Sequence, residues 1–289
     1  MFKYSITLIS LIFTLLMQNA LAAQNFSTIK AQAILAQATY LDANELEKVV
    51  QAEGYELIHQ TTLPDSQVSY FLIKKNGVQT IAIRGTANLE NAMTDLDLAL
   101  QADNKLNIIM HQGFASATRA VYKDVKPFLI KDMPIQTTGH SLGGAISVIL
   151  AMYLTQDNYD LTQVITFGQP KVTNVSGAEK FSHLPLTRIV TAHDIVPLVP
   201  PLSPMQIKEL DIYWHMGEEV ILLDNREYSQ TNGMKSMLRA TKFTSSVPSE
   251  KNLNAHKMDT YIRLINGLLR NPVEIPYKMK INLWGFSIN

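Results

Sequence analysis

The chain has 289 residues, of which 46% are hydrophobic and 17% are charged, a composition typical of a globular protein with a sizeable core. Its 25 basic and 25 acidic residues cancel, and no block of basic residues is present that would follow a phosphate backbone, which argues against nucleic acid as a partner. The absence of cysteine excludes disulfides, thiolate metal sites and cysteine catalysis.

The N-terminal residues have the pattern of a secretory signal. Lys3 supplies a positive charge, a short apolar run follows over residues 6–17, and Ala20-Leu21-Ala22 offers the small residues that a signal peptidase recognises. An uncleaved anchor is the alternative, but the apolar run is shorter than the roughly 20 residues that a spanning helix needs. We therefore predict a cleaved signal peptide over residues 1–22 and one exported domain, secreted or periplasmic, over residues 23–289.

Along the rest of the chain, β-rich runs alternate with longer helical patterns. One or two amphipathic helices are predicted over residues 28–52, and a hairpin with a turn at Asn76-Gly77 is predicted to join strands at 68–73 and 80–83. Further helices are predicted at 113–129, 142–154 and 258–269, and further strands at 135–138, 164–167, 188–191 and 220–223. This alternation predicts an α/β fold with a mostly parallel sheet, whose ligand would lie beyond the carboxyl ends of the strands.

Ser141 is the candidate nucleophile. The run Gly139-His140-Ser141-Leu142-Gly143 matches the pattern G-x-S-x-G, in which a sharp turn from strand to helix exposes a serine hydroxyl. Glycine two residues before and two residues after the serine avoids Cβ atoms that would clash in so tight a turn. The five-residue pattern is weak evidence alone, but a predicted strand precedes it and a predicted helix follows it, as this motif requires.

A serine nucleophile needs a base, and the base needs an orienting carboxylate. With a nucleophile on such a strand-to-helix turn, the chain order is serine, then acid, then histidine. Asp194 follows a predicted strand, and His256 precedes the last predicted helix, so both are in the required order. The alternatives are a turn residue before Pro197 for Asp194 and an ordinary surface histidine for His256.

The other histidines are weaker candidates for the base. His140 and His193 each adjoin a proposed catalytic residue, and neighbours on an extended chain point in opposite directions, so packing or supporting roles are predicted for both. His215 could line the site, whereas the remaining three precede Asp194 in sequence: His59, His111 and His183. No H-x-x-x-H or H-E-x-x-H spacing is present, so no metal site is predicted.

The oxyanion formed on a substrate carbonyl needs backbone N–H donors. One is the N–H of Leu142, directly after the nucleophile, and the other is expected in the loop after an early strand. Thr86 in Arg84-Gly85-Thr86 is the candidate, with an ordinary strand-ending turn as the alternative.

Several motifs, in order over roughly residues 65–270, resemble those of the class 3 lipases, the family of the filamentous-fungal triacylglycerol lipases. The similar segments are Ile81-Ala-Ile-Arg-Gly-Thr86, Thr94-Asp-Leu96, His111-Gln-Gly-Phe114, Gly139-His-Ser-Leu-Gly-Gly144, Thr166-Phe-Gly-Gln-Pro170, Asp194-Ile-Val-Pro-Leu-Val-Pro-Pro201 and His215-Met-Gly-Glu-Glu219. The resemblance implies an α/β-hydrolase fold, carboxylic ester hydrolase activity without a cofactor, a triad of Ser141, Asp194 and His256, and oxyanion donors at Thr86 and Leu142.

The resemblance also implies a lid, which here falls on residues 87–93. Leu89 and Met93 are its only large apolar residues, whereas the lids of the family often carry a tryptophan or several branched residues. Strong interfacial activation is therefore not predicted. The chain also lacks the cysteines that cross-link the fungal enzymes.

These residues predict a triacylglycerol lipase or esterase, with two alternatives. The same machinery suits a phospholipase A1 or an acyltransferase, and a catalytically dead lipid-binding protein would keep the fold without the chemistry. In the tail after residue 270, Trp284 and Phe286 suit either transient contact with a lipid surface or packing on the domain as an added strand, and the second is favoured.

Overall fold

The computed structural model describes residues 24–86, 99–200, 212–232, 249–277, 281–283 and 286–288. The predicted signal peptide (1–22), the predicted lid (87–93) and Trp284 lie outside the described residues. None of the described helices is both long enough and apolar enough to cross a membrane.

A nine-stranded sheet forms the centre of the fold, in the order β1-β2-β3-β6-β7-β9-β11-β12-β13. Its strands are β1 (Glu56–Thr62), β2 (Ser69–Lys75), β3 (Val78–Ile83), β6 (Ile135–His140), β7 (Leu161–Phe167), β9 (Leu186–Thr191), β11 (Glu218–Leu222), β12 (Glu227–Asn232) and β13 (Val273–Glu274). The five middle strands from β3 to β11 run parallel. Antiparallel pairs flank these five strands: β1 pairs with β2 and β2 with β3 on one side, and β11 pairs with β12 on the other. The prediction of a mostly parallel sheet is therefore confirmed.

Helices cover both faces of this sheet. They are α1 (Phe26–Ala38), α2 (Ala43–Ala52), α3 (Gln112–Val125), α4 (Leu142–Gln156), α5 (Val175–Lys180), α6 (Glu250–His256) and α7 (Met258–Leu268). Apolar residues of α3 and α4 pack on one face with Tyr70 and Leu72, whereas α1 and α2 pack on the other face with Phe71 and Ile73. Helix α7 joins α1 on that second face. Alternate residues of β2 thus serve opposite layers, as a strand buried on both sides requires.

Smaller sheets complete the described part of the chain. A four-stranded antiparallel sheet has the order β10-β8-β5-β4, and a hairpin joins β14 to β15. Their strands are β4 (Leu100–Asp103), β5 (Ile108–His111), β8 (Thr173–Asn174), β10 (Tyr213–Trp214), β14 (Ile281–Leu283) and β15 (Phe286–Ile288). In the tail, the short strand β13 adds to the edge of the central sheet beside β12, whereas Phe286 lies in the separate hairpin.

The predicted helices and strands are all present, with bounds shifted by a few residues. The predicted turn at Asn76-Gly77 is also correct, because both residues have positive φ, 51° and 75°, as a two-residue hairpin turn demands. The sequence did not predict β1, β4, β5, β8, β10 or β12. Strand β12 has the sequence EYSQTN, which has almost no apolar alternation and is held by its ladder to β11.

Candidate active site

The candidate residues lie where the parallel strands end. Thr86 follows β3, Ser141 follows β6, Gly168 follows β7 and Asp194 follows β9. Because the carboxyl ends of parallel strands share one edge of the sheet, these four loops form one site. His256 reaches the same edge from the end of α6.

Ser141 occupies a strained turn between β6 and α4. Its φ is 59° and its ψ is −128°, an unfavourable conformation for a residue with a Cβ atom. A Cβ at Gly139 would lie 2.8 Å from Ser147 Oγ, and one at Gly143 would lie 2.7 Å from the carbonyl carbon of Arg84. Both glycines are therefore required for close backbone approach, as the sequence pattern predicts. The Ser141 side chain makes no capping hydrogen bond to α4.

The two predicted oxyanion donors flank this serine. Leu142 is the first residue of α4, so its backbone N–H belongs to the first turn, where no intrahelical acceptor is available. The turn before Thr86 passes directly over the serine, because a Cβ at Gly85 would lie only 3.0 Å from Ser141 Cβ. Thr86 itself is half-buried. This geometry fits N–H donors on two sides of a carbonyl oxygen held at Ser141.

Asp194 and His256 form a buried pair. His256 Nδ1 lies 2.8 Å from Asp194 Oδ2, and the two residues are only 3% and 1% exposed. Since the carboxylate accepts a hydrogen bond from Nδ1, that nitrogen carries the proton, and Nε2 of the neutral ring is the acceptor. Nε2 is buried and has no hydrogen-bond partner among the described residues. It is therefore the ring nitrogen that can accept a proton.

Two further donors hold the carboxylate of Asp194. The Tyr261 hydroxyl donates to Oδ2 at 2.5 Å, and the backbone N–H of Val196 donates to Oδ1 at 2.9 Å. Burial alone would raise the pKa of this carboxyl, but His256, Tyr261 and Val196 outweigh it and lower the pKa below its ordinary value. Asp194 is thus held as an anion beside the imidazole.

The loop after β7 joins the pair to the serine. The backbone N–H of Ser141 donates to the carbonyl of Phe167 at 2.9 Å. The next residue, Gly168, has a φ of 58°, and a Cβ there would lie 2.7 Å from His256 Cε1 and 2.8 Å from Asp194 Oδ2. Glycine at this position lets the main chain beside Ser141 pass against the imidazole–carboxylate pair. The structure therefore brings Ser141, Asp194 and His256 together.

The supporting role predicted for the histidines beside the candidate residues is correct for one and wrong for the other. His140 is buried; its Nε2 lies 2.7 Å from the carbonyl oxygen of His256, and its Nδ1 lies 2.8 Å from the Tyr40 hydroxyl. Burial, aided by the nearby His256, lowers the pKa of His140 to about 3, so this ring is neutral. His193 is exposed instead, together with Ala192, because the chain turns after β9 before it buries Asp194 and the residues that follow.

Three of the remaining histidines have hydrogen-bonding partners, whereas His183 is exposed beside Phe181. His215 is buried and bonds the Pro197 carbonyl through Nε2 at 2.7 Å. Burial, followed by Arg188 and Lys171, lowers its pKa well below the ordinary value. His59 pairs with Asp124, and His111 caps α3 by accepting from the N–H of Phe114.

Sequence reasoning missed two tyrosines of this site. Tyr261 lies five residues after His256, one helical turn into α7, and Tyr40 lies in the connection between α1 and α2. No local sequence pattern marks either tyrosine as part of a site. Their hydroxyls act on groups 67 and 100 residues away in the chain, so only the packing of α1 and α7 on the sheet brings them in.

Residues 80–203 match the family model for lipases of class 3. This segment of the chain is similar to the class 3 lipases. The matched region runs from β3 to the segment after Asp194 and includes Thr86, Ser141 and Leu142. His256 and Tyr40 lie outside it.

Curated relatives are similar to this chain over about half of its length. Phospholipase A1-Igamma2, chloroplastic, of Arabidopsis thaliana is 28% identical over 157 residues, which cover 47% of this chain and 26% of that protein. A lipase of Rhizopus niveus is 29% identical over 153 residues, covering 48% and 39%. The matched segment thus spans between a quarter and two fifths of these relatives' own length.

Solved structures extend the similarity to most of the described fold. The crystal structure of a lipase from Rhizopus microsporus var. chinensis matches with a TM-score of 0.59 and 26% identity, and the match covers 70% of this chain and 76% of that one. The fold is therefore the α/β-hydrolase fold of the class 3 lipases, as the sequence motifs predicted.

Proposed function

We propose that this protein is a class 3 lipase, a serine carboxylic-ester hydrolase that acts on lipid esters through Ser141, His256 and Asp194. The observation that carries the proposal is the Asp194–His256 pair, 2.8 Å apart and buried, beside the strained turn that holds Ser141. A buried imidazole with one nitrogen bound to a carboxylate and the other unpaired suits a general base.

The first step transfers the acyl group to the protein. Ser141 Oγ attacks the ester carbonyl carbon while His256 Nε2 takes the hydroxyl proton. The N–H groups of Thr86 and Leu142 stabilise the negative charge that develops on the carbonyl oxygen, and each such donor is typically worth about 10²–10³ in rate. His256 then gives its proton to the leaving alcohol oxygen as the ester bond breaks, and Asp194 stabilises the transient imidazolium.

The second step releases the acid. Water attacks the acyl carbon of the Ser141 ester, again with His256 Nε2 as the base. The proton on His256 then returns to Ser141 Oγ as the acyl–oxygen bond breaks, which regenerates the free serine. No metal or cofactor takes part in either step.

The substrate class follows from the relatives. A lipase and a phospholipase A1 both match this chain at 28–29% identity, so we propose lipid carboxylic esters, with triacylglycerol or short-chain esters as the first candidate. A phospholipase A1 activity is the second candidate, supported by the match to the Arabidopsis thaliana protein. Contact with a lipid surface would then be transient, during turnover.

We also propose that the enzyme is exported. Lys3, the apolar run of residues 6–17 and the small residues at 20–22 fit a cleaved signal peptide. Mass spectrometry of the protein recovered outside the cytoplasm tests this: a mature N-terminus at Ala23 is expected, and an intact Met1 would contradict cleavage.

A substrate panel tests the proposed activity. The chain without residues 1–22 is assayed on p-nitrophenyl butyrate, emulsified triolein and phosphatidylcholine vesicles, beside Ser141→Ala and the matched control Ser182→Ala. Ser182 is an exposed serine away from the site, so the control should keep full activity. Ser141→Ala should lose at least about 10³-fold in kcat on every substrate that the wild type cleaves.

The outcomes separate the candidates. Hydrolysis of triolein or the short ester identifies a lipase or esterase, whereas release of the fatty acid from position 1 of the phospholipid identifies a phospholipase A1. Full activity in Ser141→Ala, or no hydrolysis of any ester by the wild type, would overturn the proposed function.

A further inference from the structure

A chain of hydrogen bonds crosses the site without passing through Ser141, Asp194 or the His256 ring. It runs from the Tyr40 hydroxyl, which lies against the backbone of Gly85, through the His140 ring to the backbone carbonyl of His256. We infer that Tyr40 and His140 are positioning residues that fix the oxyanion turn and the catalytic histidine relative to one another. The inference rests on the proposed function.

The donors and acceptors of the chain allow only one arrangement of protons. The carbonyl oxygen of His256 can only accept, so His140 Nε2 donates to it over 2.7 Å. The buried ring is neutral, so its Nδ1 carries a lone pair and accepts. The Tyr40 hydroxyl, 2.8 Å away, must therefore donate to Nδ1.

The oxygen of the same hydroxyl lies against the oxyanion turn. A Cβ at Gly85 would lie 2.5 Å from the Tyr40 oxygen, so the backbone of the turn packs directly against the hydroxyl. Each of the two hydrogen bonds between Tyr40, His140 and His256 thus joins one donor to one acceptor. Reversal of one bond would leave two donors or two acceptors facing each other.

The two ends of the chain are the parts of the site that must keep their spacing. Gly85 adjoins Thr86, whose N–H is a proposed oxyanion donor, and the carbonyl at the other end belongs to His256 itself. His140 lies between them, and its ring is stacked obliquely on His256 with centroids 4.4 Å apart. Misplacement of reacting groups by about 1 Å can cost about 10²-fold in rate, so a link between these ends acts on catalysis without contact with substrate.

Tyr40 joins this link from a separate part of the molecule. It follows α1, whose apolar residues pack on the face of the sheet opposite to α4, and it lies outside the region 80–203 that matches the lipase family model. The N-terminal helices would then have a function beyond covering the sheet, because they deliver the hydroxyl that joins β3 to β6.

The test removes only the hydroxyl. Tyr40→Phe keeps the ring and deletes the donor to His140 and the oxygen that contacts Gly85. The control is Tyr55→Phe, which deletes the hydroxyl of a half-buried tyrosine between α2 and β1 whose ring contacts Lys75. Initial rates on p-nitrophenyl butyrate give kcat and KM, and NMR gives the backbone amide proton shift of Gly85.

We expect Tyr40→Phe to lower kcat about 10-fold while KM changes less than about 2-fold, because binding is kept and the transition state is less well held. The chemical shift of the Gly85 amide proton should change as the contact with the phenol oxygen is lost. Tyr55→Phe should change none of the three quantities. If Tyr40 had only a structural role, Tyr40→Phe would lower the melting temperature and leave both kcat and KM unchanged.

A second variant tests whether the two residues act as a unit. His140→Gln keeps one donor and one acceptor on a side chain of similar reach, so it should retain more kcat than His140→Phe. When Tyr40→Phe is added to His140→Phe, no further loss is expected, because the chain is already broken. If the Phe variant at 140 does not fold, the kcat and NMR results for Tyr40→Phe decide alone.

Failure of this inference can be distinguished from failure of the proposed function. An active wild type that loses activity in Ser141→Ala but keeps full kcat in Tyr40→Phe would overturn this inference and leave the proposed function intact. An unchanged Gly85 amide shift in Tyr40→Phe would overturn it as well. Ester hydrolysis that survives in Ser141→Ala would overturn the proposed function itself, and the inference with it.

Discussion

Tyr261 holds the acidic member of the proposed triad. Its hydroxyl donates to the same Asp194 oxygen that binds His256, at 2.5 Å, inside a region closed to solvent. Hydrogen bonds to a buried charged group contribute about 1.5–3 kcal/mol to stability. The carboxylate would still bind His256 and Val196 without Tyr261, but it would be less firmly fixed.

Tyr261→Phe should therefore lower kcat for ester hydrolysis about 10-fold and destabilise the protein by about 1–3 kcal/mol, with KM unchanged. Tyr228→Phe is the matched control, because it removes another tyrosine–carboxylate bond, to Glu274, far from the site. Steady-state kinetics and denaturant unfolding measure both effects. Equal kcat values for the two variants would show that Tyr261 has no part in orienting Asp194.

Two buried neutral histidines predict a pH dependence of stability. The pKa of His140 is lowered to about 3 and that of His215 is also lowered. Between pH 6.5 and the folded pKa, the unfolded chain binds a proton on each residue that the folded protein does not bind. The stability contributed by these two neutral histidines is therefore fully present above pH 6.5, and the free energy of unfolding falls as the pH drops below that value.

His140→Gln should reduce the slope of the free energy of unfolding against pH by up to about 1.4 kcal/mol per pH unit, which corresponds to one proton. Denaturant unfolding between pH 7 and pH 4.5 measures the slope in a range where most carboxyl groups stay ionised. The same slope in the wild type and the variant would show that His140 is protonated in the folded protein.

At the scale of single residues, order along the chain is enough to nominate the serine, the acid and the base of the proposed triad. Ser141 stands in a local five-residue pattern, and Asp194 and His256 follow it in the sequence expected for this arrangement. Tyr40 and Tyr261 could not be found in this way, because each acts through one hydroxyl on a residue far along the chain. Nothing in their local sequence distinguishes them from tyrosines of the core.

At the scale of elements, the start of α4 rests directly on the backbone at the end of β3. Gly143 is the point of contact: a Cβ there would overlap the carbonyl of Ile83 and lie 2.7 Å from the carbonyl carbon of Arg84. The spacing between the Leu142 N–H and the Thr86 turn is set by this contact, which side-chain movement cannot relieve.

Gly143→Ala should therefore destabilise the fold by about 1–3 kcal/mol and lower kcat at least about 10²-fold. Gly267→Ala is the control, since α7 has room for a Cβ at that position, and alanine in a helix is favoured by up to about 1 kcal/mol. Thermal unfolding and ester hydrolysis measure the two effects. A Gly143→Ala variant with normal kcat would contradict the packing of α4 on β3.

The elements that the sequence predicts are those with an unbroken apolar signal, such as α4, in which twelve successive residues from Gly143 to Leu154 are buried. Strands β4, β8 and β12 were missed because they are short or polar and form by pairing with neighbours. Such pairing depends on tertiary contacts, which local periodicity does not encode.

At the scale of the whole molecule, the sheet collects residues from four loops, and α1, α6 and α7 complete the site from outside the matched family region. The α/β architecture was predictable because alternating strands and helices leave few topologies. How the N-terminal helices reach the site was not, because their apolar faces predict burial without saying against which strands.

The most direct test of the proposed triad is the covalent reaction of the folded protein with a fluorophosphonate, followed by intact-mass measurement and peptide mapping. We expect one adduct, on Ser141, that is absent in Ser141→Ala, retained in Ser182→Ala and formed at least about 10²-fold more slowly in Asp194→Asn, which would hold the His256 ring in the wrong tautomer. No adduct on Ser141, or an equal rate in Asp194→Asn, would contradict a serine activated by the Asp194–His256 pair.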